Sequence, residues 1–107
     1  MQIGHILTYN KSMTETAWTV DIVGQARKFD KNLSGAANDS FAVLLKELKN
    51  QGPYRANWPN YTKMTGDDYH CHLKKSRRPT YVVCWQVYKI KKLIEVYYAG
   101  THENAPY

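Results

Sequence analysis

The sequence predicts a single α+β domain in which an N-terminal strand and two helices pack on a small, mainly antiparallel sheet. Three observations carry that prediction. Near Gln25 the hydrophobic period changes from two to a spacing of three and four. The second half holds three strand-like runs separated by short polar turns. A chain of 107 residues fits one domain and has no room for two cores.

Taken in order, residues 1–16 are polar and weakly patterned, and read as an N-terminal arm ahead of a domain spanning 17–107. Trp18, Val20, Ile22 and Val23 form a β-rich run that ends at Gly24. From Gln25, Ala26, Phe29 and Leu33 fit one helical face, and Ser34-Gly35 closes that helix or marks a bend. Asn38 or Asp39 can cap a second helix, where Phe41, Leu44, Leu45 and Leu48 make the apolar stripe. Gly52-Pro53 stops it, because proline cannot continue a helix and glycine accepts the cap conformation. Residues 54–68 read as a long connection. Then come YHCHLKK from Tyr69, TYVVCWQVY from Thr80 and LIEVYYA from Leu93, a spacing that predicts an antiparallel meander.

The charge is lopsided. From Tyr54 onward there are nine Lys/Arg against four Asp/Glu, while the first half has six against five. A one-sided basic excess favours a polyanionic partner through counterion release and steering. Nine Tyr and three Trp add side chains with an apolar body and a polar tip, suited to contact surfaces. Cys71 and Cys84 both fall in expected strands and do not make a disulfide framework. Neither a signal-peptide pattern nor a membrane-length apolar run is present, so the expected setting is reducing and cytoplasmic, with no membrane partner.

The residues able to carry chemistry concentrate in two places. In a strand, side chains alternate, so His70 and His72 share one face and Cys71 and Leu73 the other, with Lys74 expected to extend the histidine face. Lys75, Arg77 and Arg78 follow directly. The second place is the tail GTHENAPY, where His102 and Tyr107 follow the last strand and Pro106 stiffens the chain. Cleavage of RNA without a metal needs a base for the 2′-hydroxyl, cations for the crowded phosphorane and an acid for the leaving 5′-oxygen. Histidine serves as base or acid near neutrality. Lys74, Lys75, Arg77 and Arg78 would hold phosphate, and Tyr69, Tyr81 or Trp85 would stack on an unpaired base. His-x-His can also hold zinc, but Cys71 points away and Cys84 is isolated, so neither metal nor cofactor is expected.

The runs YHCHLKKSRRPTYVVCWQV and IEVYYAGTHENAPY, with the order of elements around them, resemble the RelE/ParE superfamily of bacterial toxins over about five-sixths of the chain. The Gly100-Thr101-His102 step is similar to that of the YafQ-type ribosome-dependent endoribonucleases, which implies a catalytic role for His102. The same resemblance implies a second catalytic histidine, for which His72 is the nearest match and His70 the alternative. It matches Tyr107 to the tyrosine near the chain end of the RelE branch, and Lys74 and Lys75 to mRNA phosphates. Two departures stand out: Val82 occupies the place of the RelE arginine, and Pro79-Thr80 that of a YafQ acidic residue. The implied function is a metal-independent mRNA endoribonuclease that inhibits translation on the ribosome. Its implied partner is an acidic antitoxin whose helical segment covers the basic face and the two helices. A ParE-like toxin that binds DNA gyrase without catalysis, or a basic RNA-binding module, are the alternatives.

Overall fold

The fold was established from a computed structural model, which describes residues 17–32, 35–74 and 79–107. The expected arm of residues 1–16 lies outside the described residues, as do Leu33 and Ser34. The elements are β1 (Thr19–Ile22), α1 (Gln25–Asn32), α2 (Gly35–Gln51), β2 (Thr62–Lys63), β3 (Asp68–His72), β4 (Tyr81–Tyr88) and β5 (Leu93–Thr101), followed by a 3-10 turn at His102–Asn104. The five strands form one sheet in the order β1-β5-β4-β3-β2. β3, β4 and β5 make the expected antiparallel meander, and β1 lies parallel to β5 at the edge.

Alternation in β1 turns Val20 and Ile22 inward and leaves Thr19 and Asp21 exposed. Gly24, with φ +58°, then turns the chain into α1. β5 continues past the last β1 partner, and Gln25 at the start of α1 covers it by accepting the Ala99 N–H at 3.0 Å. Ala26 and Phe29 press α1 onto the sheet, and Phe29 meets Phe41 and Tyr81 edge-on at 5.6 and 5.1 Å.

The second helix begins one turn earlier than expected. It starts at Gly35, whose φ of +63° is one glycine adopts without strain, and Ala36-Ala37 favour helix ahead of the polar pair. Asn38 and Asp39 therefore lie inside α2 and do not cap it. Phe41, Leu44 and Leu48 are buried as the spacing required. The helix ends where expected, at Gly52, with φ +97° and its N–H on the Leu48 carbonyl. A Cβ at Gly52 would sit 3.2 Å from the Trp18 indole nitrogen, so this glycine also admits the β1 entry.

The connection from Tyr54 to Asp68 is not all loop. It contains β2, a two-residue strand too short to leave a period-two signature. The rest is pinned to α2 by Glu47, whose Oε1 accepts from Arg55 at 3.0 Å, Asn57 at 3.1 Å and the Trp58 indole at 2.8 Å. Burial pushes this carboxyl up, but the three donors and the Arg55 charge together hold it below its ordinary 4.5. Trp58 is thereby seated in the core.

β4 is apolar on both faces because both are covered. Val83, Trp85 and Val87 face the helices, and Trp85 donates to the Pro53 carbonyl at 3.2 Å. Val82 and Cys84 belong to a second, smaller cluster on the opposite face, with Tyr98, Tyr97, Met64 and Ala105. A bulge in β5 makes that cluster. Cys84 pairs with Tyr98 and Trp85 with Val96, so Tyr97 is an extra residue and both tyrosines turn away from the helices.

Replacing Glu47 with alanine strands the buried Arg55 and Trp58 donors. Glu47→Ala is expected to cost about 2–4 kcal/mol of stability, read as a lower urea midpoint at an unchanged slope.

Candidate active site

The face opposite the helices carries the site. In the β3–β4 register His70 stands beside Cys84 and His72 beside Val82, and across β4 these pair with Tyr98 and Gly100. The two imidazoles share this face, as their alternation required, with ring centroids 6.3 Å apart.

The tail reaches them because a series of contacts folds it back. The Tyr98 ring lies across Gly100, and its Oη donates to the Thr101 carbonyl at 2.8 Å. The His102 N–H donates to the Thr80 carbonyl at 2.9 Å. The Ala105 N–H closes the 3-10 turn on the His102 carbonyl at 3.3 Å, and Ala105 packs on the Val82, Cys84 and Tyr98 cluster. Pro106 then delivers Tyr107 to the sheet, where it stacks on His70 at 4.2 Å and 26°. His102 meets His72 edge-on at 5.3 Å and Tyr107 at 6.3 Å and 84°. Two segments thirty residues apart in sequence become one cluster of three imidazoles and a phenol.

The cluster is graded in exposure. His70 is 8% exposed, His72 is half-buried, and His102 and Tyr107 are exposed. Desolvation lowers the His70 pKa below its ordinary 6.5, with a further push from His72. Desolvation, then the neighbouring His102, lowers that of His72. Both are therefore neutral imidazoles at neutral pH, the form that accepts a proton. Burial raises the Tyr107 phenol above its ordinary 10, so it stays a donor. Among the described residues, no group of three or more His, Cys, Asp and Glu is arranged to hold a metal ion.

Beside the cluster lies a polar tie that the sequence did not reveal. The Tyr97 Oη donates to Asp68 Oδ1 at 2.7 Å, joining β5 to the start of β3. Burial and this carboxylate drive the Tyr97 phenol far up, and burial pushes the Cys84 thiol up to about 12, so neither ionises near neutrality. The doublet Tyr97-Tyr98 was the available signal, but its meaning depends on the bulge, which no local pattern announces.

Several expected site residues lie elsewhere. Lys74 does not extend the histidine face. β3 ends at His72, the chain turns, and the Lys74 ammonium lies 4.5 Å from the Trp58 ring centroid. There it lines a shallow groove on the helical side with Ala36, Ser40 and Val43. Tyr69, Tyr81 and Trp85 are not free to stack on a base, because their strand parity puts them under the helices. Tyr69 and Trp85 are 2% and 0% exposed, and Tyr81 packs against Phe29. Lys75, Arg77 and Arg78 lie outside the described residues.

No protein-family model matches the chain, and no curated protein sequence matches it significantly. Solved structures do. A mutant of the E. coli toxin RelE in the free state superposes with a TM-score of 0.64 over 83% of this chain and 87% of that one, at 22% identity. The isolated E. coli RelE toxin gives 0.62 over 84% and 89%, at 20% identity. The intact E. coli RelBE toxin–antitoxin complex gives 0.64 over 82% of this chain and 100% of that one, at 23% identity. The chain has a RelE-like fold. The elements that place the histidine cluster, β3 to β5, thus belong to a RelE-like sheet, as the resemblance in the sequence led us to expect.

Two outcomes test this geometry. A Cβ at Gly100 would stand 2.6 Å from the Tyr98 hydroxyl, so Gly100→Ala is expected to expel that ring and free the tail. Its cost, about 1–3 kcal/mol, is read by thermal unfolding. Because folding lowers the pKa of His70 and His72, the unfolded chain binds protons first as pH falls. Their contribution is complete above about pH 6.5 and is lost as pH drops through the lowered values. The urea midpoint should therefore fall between about pH 7 and pH 5, and a flat profile would contradict the burial assigned to these rings.

Proposed function

We propose that this chain is the toxin of a toxin–antitoxin pair and that it cleaves mRNA on the ribosome by acid–base chemistry. The observation that carries the reading is the approach of His102 to His72, 5.3 Å between ring centroids, on the face of the sheet opposite α1 and α2. A phosphodiester undergoing attack by its own 2′-oxygen presents the attacking and leaving oxygens on opposite sides of phosphorus. Base and acid must then be separate groups flanking one phosphate, and two adjacent imidazoles, one on β3 and one in the turn after β5, suit that demand.

In this reading His72, neutral at working pH, takes the proton from the 2′-hydroxyl as the 2′-oxygen bonds to phosphorus. The bond from phosphorus to the 5′-oxygen breaks, and His102, on the exposed side, delivers the proton to that oxygen. The products are a 2′,3′-cyclic phosphate and a 5′-hydroxyl. Tyr107 keeps its proton and donates or stacks at the rim. The phosphorane charge falls to Lys75, Arg77 and Arg78, which follow the His72 strand in sequence. Lys74 is left out, since its ammonium is engaged over Trp58.

One of the structures that share the fold is a toxin–antitoxin complex, which supports an antitoxin partner for this chain. A net charge of +6 suits an acidic one, and the groove between Trp58, Val43 and Lys74 offers an apolar strip with a cation beside it.

Induced expression is expected to arrest growth and translation and to produce new transcript ends within translated codons. His102→Ala should lower cleavage by about 10²–10⁴-fold and relieve the arrest. Arrest at full strength with His102→Ala rejects the reading, and intact mRNA with a DNA-damage response would point to gyrase binding instead.

A further inference from the structure

We infer that His70 is a positioning residue for Tyr107 and takes no part in proton transfer. The consequence for cleavage rests on the function proposed above; the placement of the tail does not.

His70 sits in the middle of β3 with 8% of its surface exposed. What covers it is the Tyr107 ring, stacked at 4.2 Å and nearly parallel. Tyr107 itself is 52% exposed, so this tyrosine stands between the buried imidazole and anything that binds on the face. An imidazole in that position cannot touch a nucleotide unless the tail leaves.

A second observation agrees. His70 Nδ1 is buried and has no hydrogen-bond partner among the described residues. Acid–base histidines are held in one tautomer by a partner on the second ring nitrogen. His70 lacks that fixture, and what it presents outward is a flat face. Burial disfavours the charged form of this ring, as expected of a side chain packed beneath another.

The tail needs such a seat. Its backbone is anchored as far as Ala105, through the 3-10 turn and the small cluster on this face. Beyond it come Pro106 and Tyr107, whose ring has two aromatic neighbours among the described residues, His70 beneath and His102 at its edge. The stack therefore fixes where the phenol stands relative to the His72–His102 pair. Removing it leaves the reactive imidazoles in place and lets the phenol wander, a loss transmitted entirely through Tyr107.

The test uses the full chain with His70→Leu, which fills the volume without a flat face, and His70→Phe, which restores one. In NMR spectra the Tyr107 ring protons should be displaced by ring currents in the wild type and in His70→Phe. In His70→Leu they should return to the values of an unstructured tyrosine, while the β3 to β5 amide signals persist. On translated mRNA, His70→Phe should cleave within about threefold of the wild type with an unchanged pH profile, and His70→Leu should fall by up to about a hundredfold. Tyr107→Ala should fall equally, and the His70→Leu/Tyr107→Ala pair no further, because both act through one contact. Two results overturn the inference: Tyr107 signals unmoved by His70→Leu, or His70→Phe as inactive as His102→Ala with Tyr107 still stacked. Should the wild type not cleave RNA, the nuclease reading fails and the spectra alone decide the seat.

Discussion

One extra residue in β5 governs the arrangement of this molecule. Up to Val96 the strand alternates regularly, with Ile94 and Val96 beneath the helices. The bulge at Tyr97 shifts the parity, so Tyr97 and Tyr98 both turn to the other face and Ala99 returns to the helical side. Without that shift, Tyr98 would be packed under α1 and could not lie across Gly100 to hold the Thr101 carbonyl. The tail would leave the sheet unclamped, and His102 would have no fixed relation to β3. A backbone irregularity worth one residue thus decides whether the chemistry-bearing groups meet.

The sheet is consequently a two-sided object with unequal covers. The helical side is sealed by Phe41, Leu44, Leu48 and Trp58, and holds the larger core. The other side has a three-residue patch of Val82, Cys84 and Tyr98, flanked by Met64, Tyr97 and Ala105, which is enough to dry the middle of the face but not its rim. That partial cover creates the gradient from buried His70 through half-buried His72 to exposed His102. Chemically equivalent side chains thus stand at different depths, and the deeper a ring lies the more its charged form is disfavoured.

The same division explains why a basic, tyrosine-rich sequence does not simply coat one surface. Lys74 comes two residues after the end of β3, and the turn sends it to the helical side, where Trp58 receives its charge. Glu47 draws Arg55 inward to fasten the 54–61 segment. Two of the cations that the lopsided composition counted toward a polyanion are thus engaged within the fold, Lys74 over Trp58 and Arg55 on Glu47.

What the amino-acid order determined by itself was whatever depends on local period. The strand at Trp18–Val23, the apolar stripe of α2, its stop at Gly52, the meander from β3 to β5 and the shared face of His70 and His72 all follow from spacing of two or of three and four, which backbone geometry imposes directly. The resemblance carried by the GTHENAPY tail supplied His102 and Tyr107. Four things were decided only in three dimensions. The start of α2 depended on a left-handed glycine, β2 on an edge pairing two residues long, and the burial of Tyr69, Tyr81 and Trp85 on which face the helices chose. The meeting of the tail with β3 depended on a bulge and on contacts such as His102 to Thr80 and Tyr107 to His70, between residues more than twenty positions apart. Local periodicity constrains which face a side chain occupies, but which face becomes core and which becomes site is settled by the packing of the whole chain.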